Sequence, residues 1–232
     1  MRSNALACLA TAALTFCATR IQQLAATSAK TTVDEAKLAE IMSHLSLVEL
    51  DDGAGGKVTT LRISGVNVQI VDGSGTTLAP SPHTGAGNLI LGYNETGNPK
   101  GDMRTGTHNL VVGSRLSYTG SACLVSGDAN VAHGPYSVAI GGTDNVARGT
   151  ASCAIGGQGN EAYGSWSVAV GGGSNKASGS WSVTVAGENN LASGSWSSTV
   201  AGDENRATGS ASAVIGQTGA VATQSWEVPP LR

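Results

Sequence analysis

The chain has 232 residues, of which 33 are glycine, 12% are charged and 4% are aromatic, and its formal net charge is −3. Glycine without a three-residue period excludes collagen, the supply of Val, Ile and Leu argues against disorder, and scattered Lys and Arg offer no basic stripe for nucleic acid. A conventional globular core of this size would draw on more large apolar side chains, so a thin and regular architecture is expected.

Arg2 precedes the apolar run ALACLATAALTFCA (5–18). That run has the length of a signal-peptide core and is too short to span a bilayer. Residues 1–29 are therefore expected to be an export signal, which makes the mature chain secreted or cell-surface and leaves it without a transmembrane segment. TVDEAKLAEIMSHLSLVEL (32–50) opens with a capping box from Thr32 to Glu35, and Leu38, Ile41, Leu45 and Val48 then recur at helical spacing. This predicts an amphipathic helix within 30–50, either a cap on the solenoid described below or a short clasp in a trimer. Residues 51–86 read as a strand-rich lead-in, with LRISGVNVQIVDG (61–73) alternating like a strand pair.

In 87–121, NLILG (88–92) and NLVVG (109–113) read as degenerate coils interrupted by a loop, YNETGNPKGDMRTGTH (93–108). The loop concentrates Lys100, Asp102, Arg104 and His108 in a chain short of charge. Long loops on rigid scaffolds often carry recognition, so these four are candidate contact residues, the alternative being an ordinary solvated insertion.

Residues 122–226 fall into seven rows of fifteen, starting at 122, 137, 152, 167, 182, 197 and 212. A period this short, held this long, is the mark of a solenoid whose units cannot bury a core alone. Position 4 is always β-branched (Val125, Ile140, Ile155, Val170, Val185, Val200, Ile215), and position 11 is always Ala. Glycine dominates positions 6 and 13, half a coil apart, where the chain is expected to turn with positive φ. Asn recurs at position 9 from Asn130 to Asn205, where stacked copies can form an amide ladder. The expected fold is an all-β, parallel β-roll about 34 Å long at the usual strand spacing, with residues 227–232 as a tail. The Val/Ile stripe is expected to face inward. Cys123 and Cys153, both counted at position 2 and two rows apart, are too distant for a disulfide and are expected to be small core hydrophobes.

Position 15 holds Tyr136, Trp166, Trp181, Trp196 and Trp226, with Ala151 and Ala211 in the other rows. Two readings stand: the rings stack and close the edge of a thin core or subunit interface, or they form a solvent-facing ladder that stacks on sugar rings. A roll this lean buries too little apolar area to offset the ordering of its backbone, so association with copies of itself is expected.

Sites of chemistry are sparse. The four histidines lack metal-ligand spacing and no nucleophile elbow or P-loop occurs, so no catalytic residue, metal or cofactor is expected and the chain is not expected to be an enzyme. Glu188 and Asp203, on adjacent rows, are the one carboxylate pair to weigh for polysaccharide hydrolysis or weak Ca²⁺ binding, with solvated turn residues as the simpler reading.

The rows SVAIGGTDNVARG, SCAIGGQGNEAYG and SVAVGGGSNKASG resemble the head repeat of YadA-like trimeric autotransporter adhesins. The resemblance covers 122–226 and extends weakly to NLVVG and NLILG. It implies left-handed parallel β-rolls associated as a homotrimer, with an adhesive role toward extracellular matrix or surface glycan. Two features depart from that family: Trp at position 15, and the ending SWEVPPLR in place of a membrane barrel.

Overall fold

A computed structural model describes residues 34–78 and 84–230; the expected export signal and Thr32 lie outside the described residues. The chain divides into two compact units, 1–68 and 69–232. In the first, helix α1 (Glu35–Ser43) is capped by Asp34, whose carboxylate accepts the Lys37 N–H at 3.2 Å. The helix is shorter than the apolar spacing over 32–50 predicts. Leu45 and Val48 lie instead in strand β1 (Leu45–Asp51), paired antiparallel with β2 (Lys57–Ile63) from Leu45↔Ile63 to Asp51↔Lys57. The run LSLVEL also satisfies a period of two, and cross-strand pairing decides between the periods. The alternation expected over 61–73 continues as strand only to Ile63.

The second unit is a parallel β-solenoid. Its strands are β3 (Leu89–Leu91), β4 (Leu110–Ser114), β5 (Ser117–Tyr118), β6 (Leu124–Asp128), β7 (Val131–Ala132), β8 (Val138–Thr143), β9 (Val146–Ala147) and β10 (Cys153–Ile155). They continue with β11 (Glu161–Ala162), β12 (Val168–Val170), β13 (Lys176–Ala177), β14 (Val183–Val185), β15 (Leu191–Ala192), β16 (Ser198–Val200), β17 (Arg206–Ala207), β18 (Ala213–Ile215) and β19 (Val221–Ala222). Each coil gives one strand to a nine-stranded sheet, β3 to β18, and from β5 onward one to an eight-stranded sheet, β5 to β19. Pairing is in register at fifteen residues from β8 onward, for example Ala154↔Ala169↔Thr184.

The first coils depart from the fifteen-residue frame. β4, β6 and β8 pair as Val111↔Val125↔Ala139, so the coils starting at Asn109 and Cys123 contain fourteen residues. The coil before them is longer, because Leu89 pairs with Leu110 across the 93–108 segment. The row counted from residue 122 is therefore shifted by one. Val125 occupies position 3 and Cys123 position 1, and the missing residue is absorbed at a register break between Ser126 and Asp128.

The interior is built from the smallest side chains. Ala139, Ala154, Ala169, Thr184 and Thr199 at position 3, Ser137 through Ser212 at position 1, and the Ala of position 11 are all buried to within 1%. The expectation that Val and Ile of position 4 face inward is overturned: these residues, with position 2, lie on the outer face of the nine-stranded sheet and stay half-buried or exposed. The two short strands of a coil approach closely, so Ala, Ser and Thr fill most rows between them, with Val only at single rungs such as Val125 and Val214, and the period of two then turns the Val and Ile of position 4 outward. Cys153, at position 2, is half-buried on that outer face rather than in the core, while Cys123 is buried; both are free thiols.

The close approach also explains the second glycine column. A Cβ on Gly164 would lie 2.0 Å from the Gly179 carbonyl oxygen of the next coil, although the backbone there needs no positive φ. At Gly157, in the first column, φ is +71° and an added Cβ would lie 2.0 Å from the Gly172 oxygen. Glycine thus serves inter-coil contact at both corners and left-handed backbone at one. Between these corners runs the asparagine ladder. Each Oδ1 from Asn130 to Asn205 accepts the backbone N–H of position 9 in the next coil at 2.8–3.1 Å. Each Nδ2 donates to turn carbonyls, as Asn175 does to Gly171 and Gly187.

The 93–108 segment folds against the first edge of the eight-stranded sheet. Tyr118 N–H donates to Met103 O at 2.7 Å and Gly106 N–H donates to Tyr118 O at 3.0 Å, so it occupies the position of a further strand. At the other end Ala213 N–H donates to Glu227 O at 2.9 Å and Gln217 Nε2 to Pro229 O at 3.2 Å, which covers the β18 edge. Both contacts blunt strand edges that would otherwise template aggregation.

Candidate functional site

Position 15 is the second corner of every coil, and there the backbone is left-handed without glycine. φ is 61° at Tyr136, 52° at Ala151, 55° at Trp166, 60° at Trp181, 63° at Trp196, 54° at Ala211 and 64° at Trp226. Such a conformation costs a side-chain-bearing residue about 1–2 kcal/mol. It is held by one recurring bond: each of these N–H groups donates to the carbonyl of position 14 in the preceding coil, or of Ser121 in the case of Tyr136, at 2.8–3.0 Å. His108 and Ala122, at φ 57° each, occupy the same corner of the two coils before Tyr136. Counting by fifteen from residue 122 hides them, whereas the spacing of fourteen among His108, Ala122 and Tyr136 reveals them.

The left-handed corner aims three indoles along one line. The rings of Trp166 and Trp181 stack with centroids 4.7 Å apart and planes at 7°, and those of Trp181 and Trp196 at 5.0 Å and 1°. These are favourable contacts beyond their buried area. The rings remain 48%, 43% and 62% exposed, so the column keeps its edges in water while its inner faces cover one another. Tyr136 and Trp226, also exposed, stand two coils away from the nearest indole on either side.

The candidate contact residues of 93–108 are wired into the cap. The Asp102 carboxylate accepts the N–H groups of Gly97 and Asn98 at 2.9–3.0 Å, and these bonds, with Arg104 beside it, hold its pKa below the usual carboxylate range. Arg104 donates to Asp102 at 3.1 Å and to the Glu95 carbonyl. Lys100 donates to the Asp144 carbonyl. His108 accepts the Asp72 N–H at 3.4 Å and lies 3.6 Å from its carboxylate. The segment is thus a fastened edge cover: Asp102 and Arg104 bond within it, while Lys100 ties it to Asp144 and His108 to Asp72.

Glu188 and Asp203 face one another on adjacent rungs of an isolated bridge at the solvated corner. Among the described residues no group of three or more His, Cys, Asp or Glu is placed to hold a metal ion. On the outer face of the eight-stranded sheet, Tyr163 lies between Arg148 (4.9 Å to the ring centroid) and Lys176 (4.3 Å), and Lys176 also pairs with Glu161 at 3.0 Å. No helix among the described residues is long and apolar enough to cross a membrane. No protein-family model matches the chain and no curated protein is significantly similar to it.

Proposed function

We propose that the chain is an exported, homotrimeric β-solenoid that acts as a stiff structural or adhesive rod at or outside the cell surface. The observation that carries this reading is the outward-facing Val/Ile stripe. Val138, Val168, Val170, Val183 and Val185 form a continuous half-exposed apolar face, while the interior holds Ala, Ser and Asn. A contiguous apolar face of this kind is the mark of an interface, and copies of the same chain present its match. The resemblance of the repeat to trimeric adhesin heads supports three copies over two. Sedimentation of the mature chain is expected to give a trimer. The pair Val170→Glu and Val185→Glu is expected to give a single chain with unchanged β-sheet circular dichroism, because both side chains point away from the coil interior. A wild-type single chain would sink the trimer.

The solvent-exposed indole edges favour a second reading, a carbohydrate-binding module using Tyr136, Trp166, Trp181, Trp196 and Trp226. Stacking closes the inner faces of the three central rings, so a sugar would meet edges or the outer faces of Trp166 and Trp196. Titration with soluble glycans, followed by indole emission, separates the two readings: a saturable change supports the module.

A further inference from the structure

Position 15 alternates rings and gaps. Reading up the corner, the residues are Tyr136, Ala151, Trp166, Trp181, Trp196, Ala211 and Trp226, all left-handed and all held by the same backbone bond. We propose that Ala151 and Ala211 leave two ring-sized slots in the aromatic column, and that each slot binds one flat, uncharged aromatic ring. The first is bounded by Tyr136 and Trp166, the second by Trp196 and Trp226.

The spacing comes from the column itself. Successive indoles repeat at 4.7–5.0 Å, so two rungs separate the residues that bound each slot by about 10 Å at normal strand spacing. A planar ring entering at the vacant rung repeats the indole step on the open face of Trp166 or Trp196 and stacks there. The outer faces of Trp166 and Trp196 are the two indole faces the stack leaves open, and each looks onto a slot. The surroundings are mostly uncharged. Position 14, beside the column, is Pro135, Thr150, Ser165, Ser180, Ser195, Ser210 and Ser225, and position 1 is serine from Ser137 to Ser212. The slots are therefore rimmed mainly by hydroxyls; one carboxylate, Glu227 after Trp226, stands at the far end of the second slot and accepts the N–H groups of Thr223 and Gln224. The same corner has a third gap at Ala122, and there the chain brings an apolar group of its own: Leu78 joins His133, Pro135 and Tyr136 around a pocket at that rung. At Ala151 and Ala211 no such group is supplied among the described residues.

This goes beyond the rod reading, since it assigns a ligand class to a corner that reading leaves as packing. It is tested on the full mature chain with 5-fluoroindole observed by fluorine NMR, and with 2-deoxy-2-fluoroglucose as the sugar comparator. The wild type is expected to bind 5-fluoroindole saturably and the sugar not at all. The double variant Ala151→Trp, Ala211→Trp fills both slots with the residue that neighbouring coils already carry there, and is expected to weaken binding by about tenfold or more. Trp181→Ala opens a third slot between Trp166 and Trp196, and is expected to raise bound probe at saturation by about half. Circular dichroism on the same samples checks that each variant keeps the coil. Absence of wild-type binding, binding unchanged in the double variant, or sugar binding as tight as that of the indole would each overturn the proposal.

Discussion

The two corners of the coil solve one problem in opposite ways. Both must reverse the chain while letting the next coil approach closely. At the asparagine corner, the left-handed backbone falls on glycine and on small or polar residues such as Asp144, Ser174, Ala186, Asn189 and Glu204, and a buried amide pairs with the coil above. At the position-15 corner, the left-handed residue carries a large ring, and that ring is left at the surface. The first corner is closed chemistry, saturated by its own repeats. Both corners hold left-handed residues with side chains, and what sets the second apart is that it exposes aromatic edges.

Gly157→Ala gives the sharpest test of the closed corner. It puts a Cβ 2.0 Å from the Gly172 oxygen at a φ of +71°, and is expected to destabilise by about 3–5 kcal/mol, read as a melting temperature lower by on the order of 10 °C. Asn175→Ala comes next. It removes donors to the half-buried Gly171 and Gly187 carbonyls and the buried acceptor for the Asn190 N–H, and about 2–4 kcal/mol is the expected loss in denaturant melts. The open corner is expected to be softer. Trp181→Ala keeps an αL residue that coils 137–151 and 197–211 already tolerate and loses two ring contacts, about 1–2 kcal/mol. A loss from Trp181→Ala as large as that from Asn175→Ala would erase the distinction between the corners.

The smallest effect is at the edge cover. The Asp102 carboxyl is depressed in the folded chain, first by the Gly97 N–H and then by that of Asn98. Its contribution is therefore present above the ordinary carboxylate pKa and is lost as pH falls through the lower folded value. Amide exchange at Gly97 and Asn98 is expected to quicken on acidification while the ladder amides of Asn160 and Asn175 stay protected. Equal quickening at both places would mean that the cover is no separate unit.

Much of this was legible in the sequence because the repeat averages out local ambiguity. Fifteen-residue spacing in Ala, Asn and Gly is enough to predict the parallel coils and the amide ladder at position 9. Facing was not legible. Alternation at positions 1 to 4 says that Ser and Ala share one side and Val and Ile the other, and hydrophobicity alone chooses Val and Ile as the inside. The thinness of the coil reverses that choice, since its interior is filled mainly by Ala, Ser and Thr and takes a Val only at single rungs such as Val214. Residues 32–50 failed for a different reason: LSLVEL fits both periods, and the strand that decides between them, Lys57–Ile63, lies further along the chain. In the 93–108 segment, charge density suggested an outward role, while the backbone donors that hold Asp102 and the strand edge that takes Met103 are tertiary features with no sequence signature. Of the aromatic corner, the register of the rings was plain, but its left-handed backbone was not, because Trp gives no hint of αL.

Each coil's strands pair only with those of the coil before and the coil after it, and the fastenings lie at the ends, in 93–108 and 227–230. Length is accordingly a free variable of the gene. Duplicating or deleting a unit of fifteen codons anywhere between 137 and 226 would move the ends apart or together by one strand spacing and leave every remaining contact with its counterpart. A new unit brings its own asparagine and glycines, and whichever residue it carries at position 15 sets whether the corner gains a ring or a gap. Lineages built on such a repeat can rewrite the spelling of the aromatic column rung by rung while the scaffold beneath it stays the same.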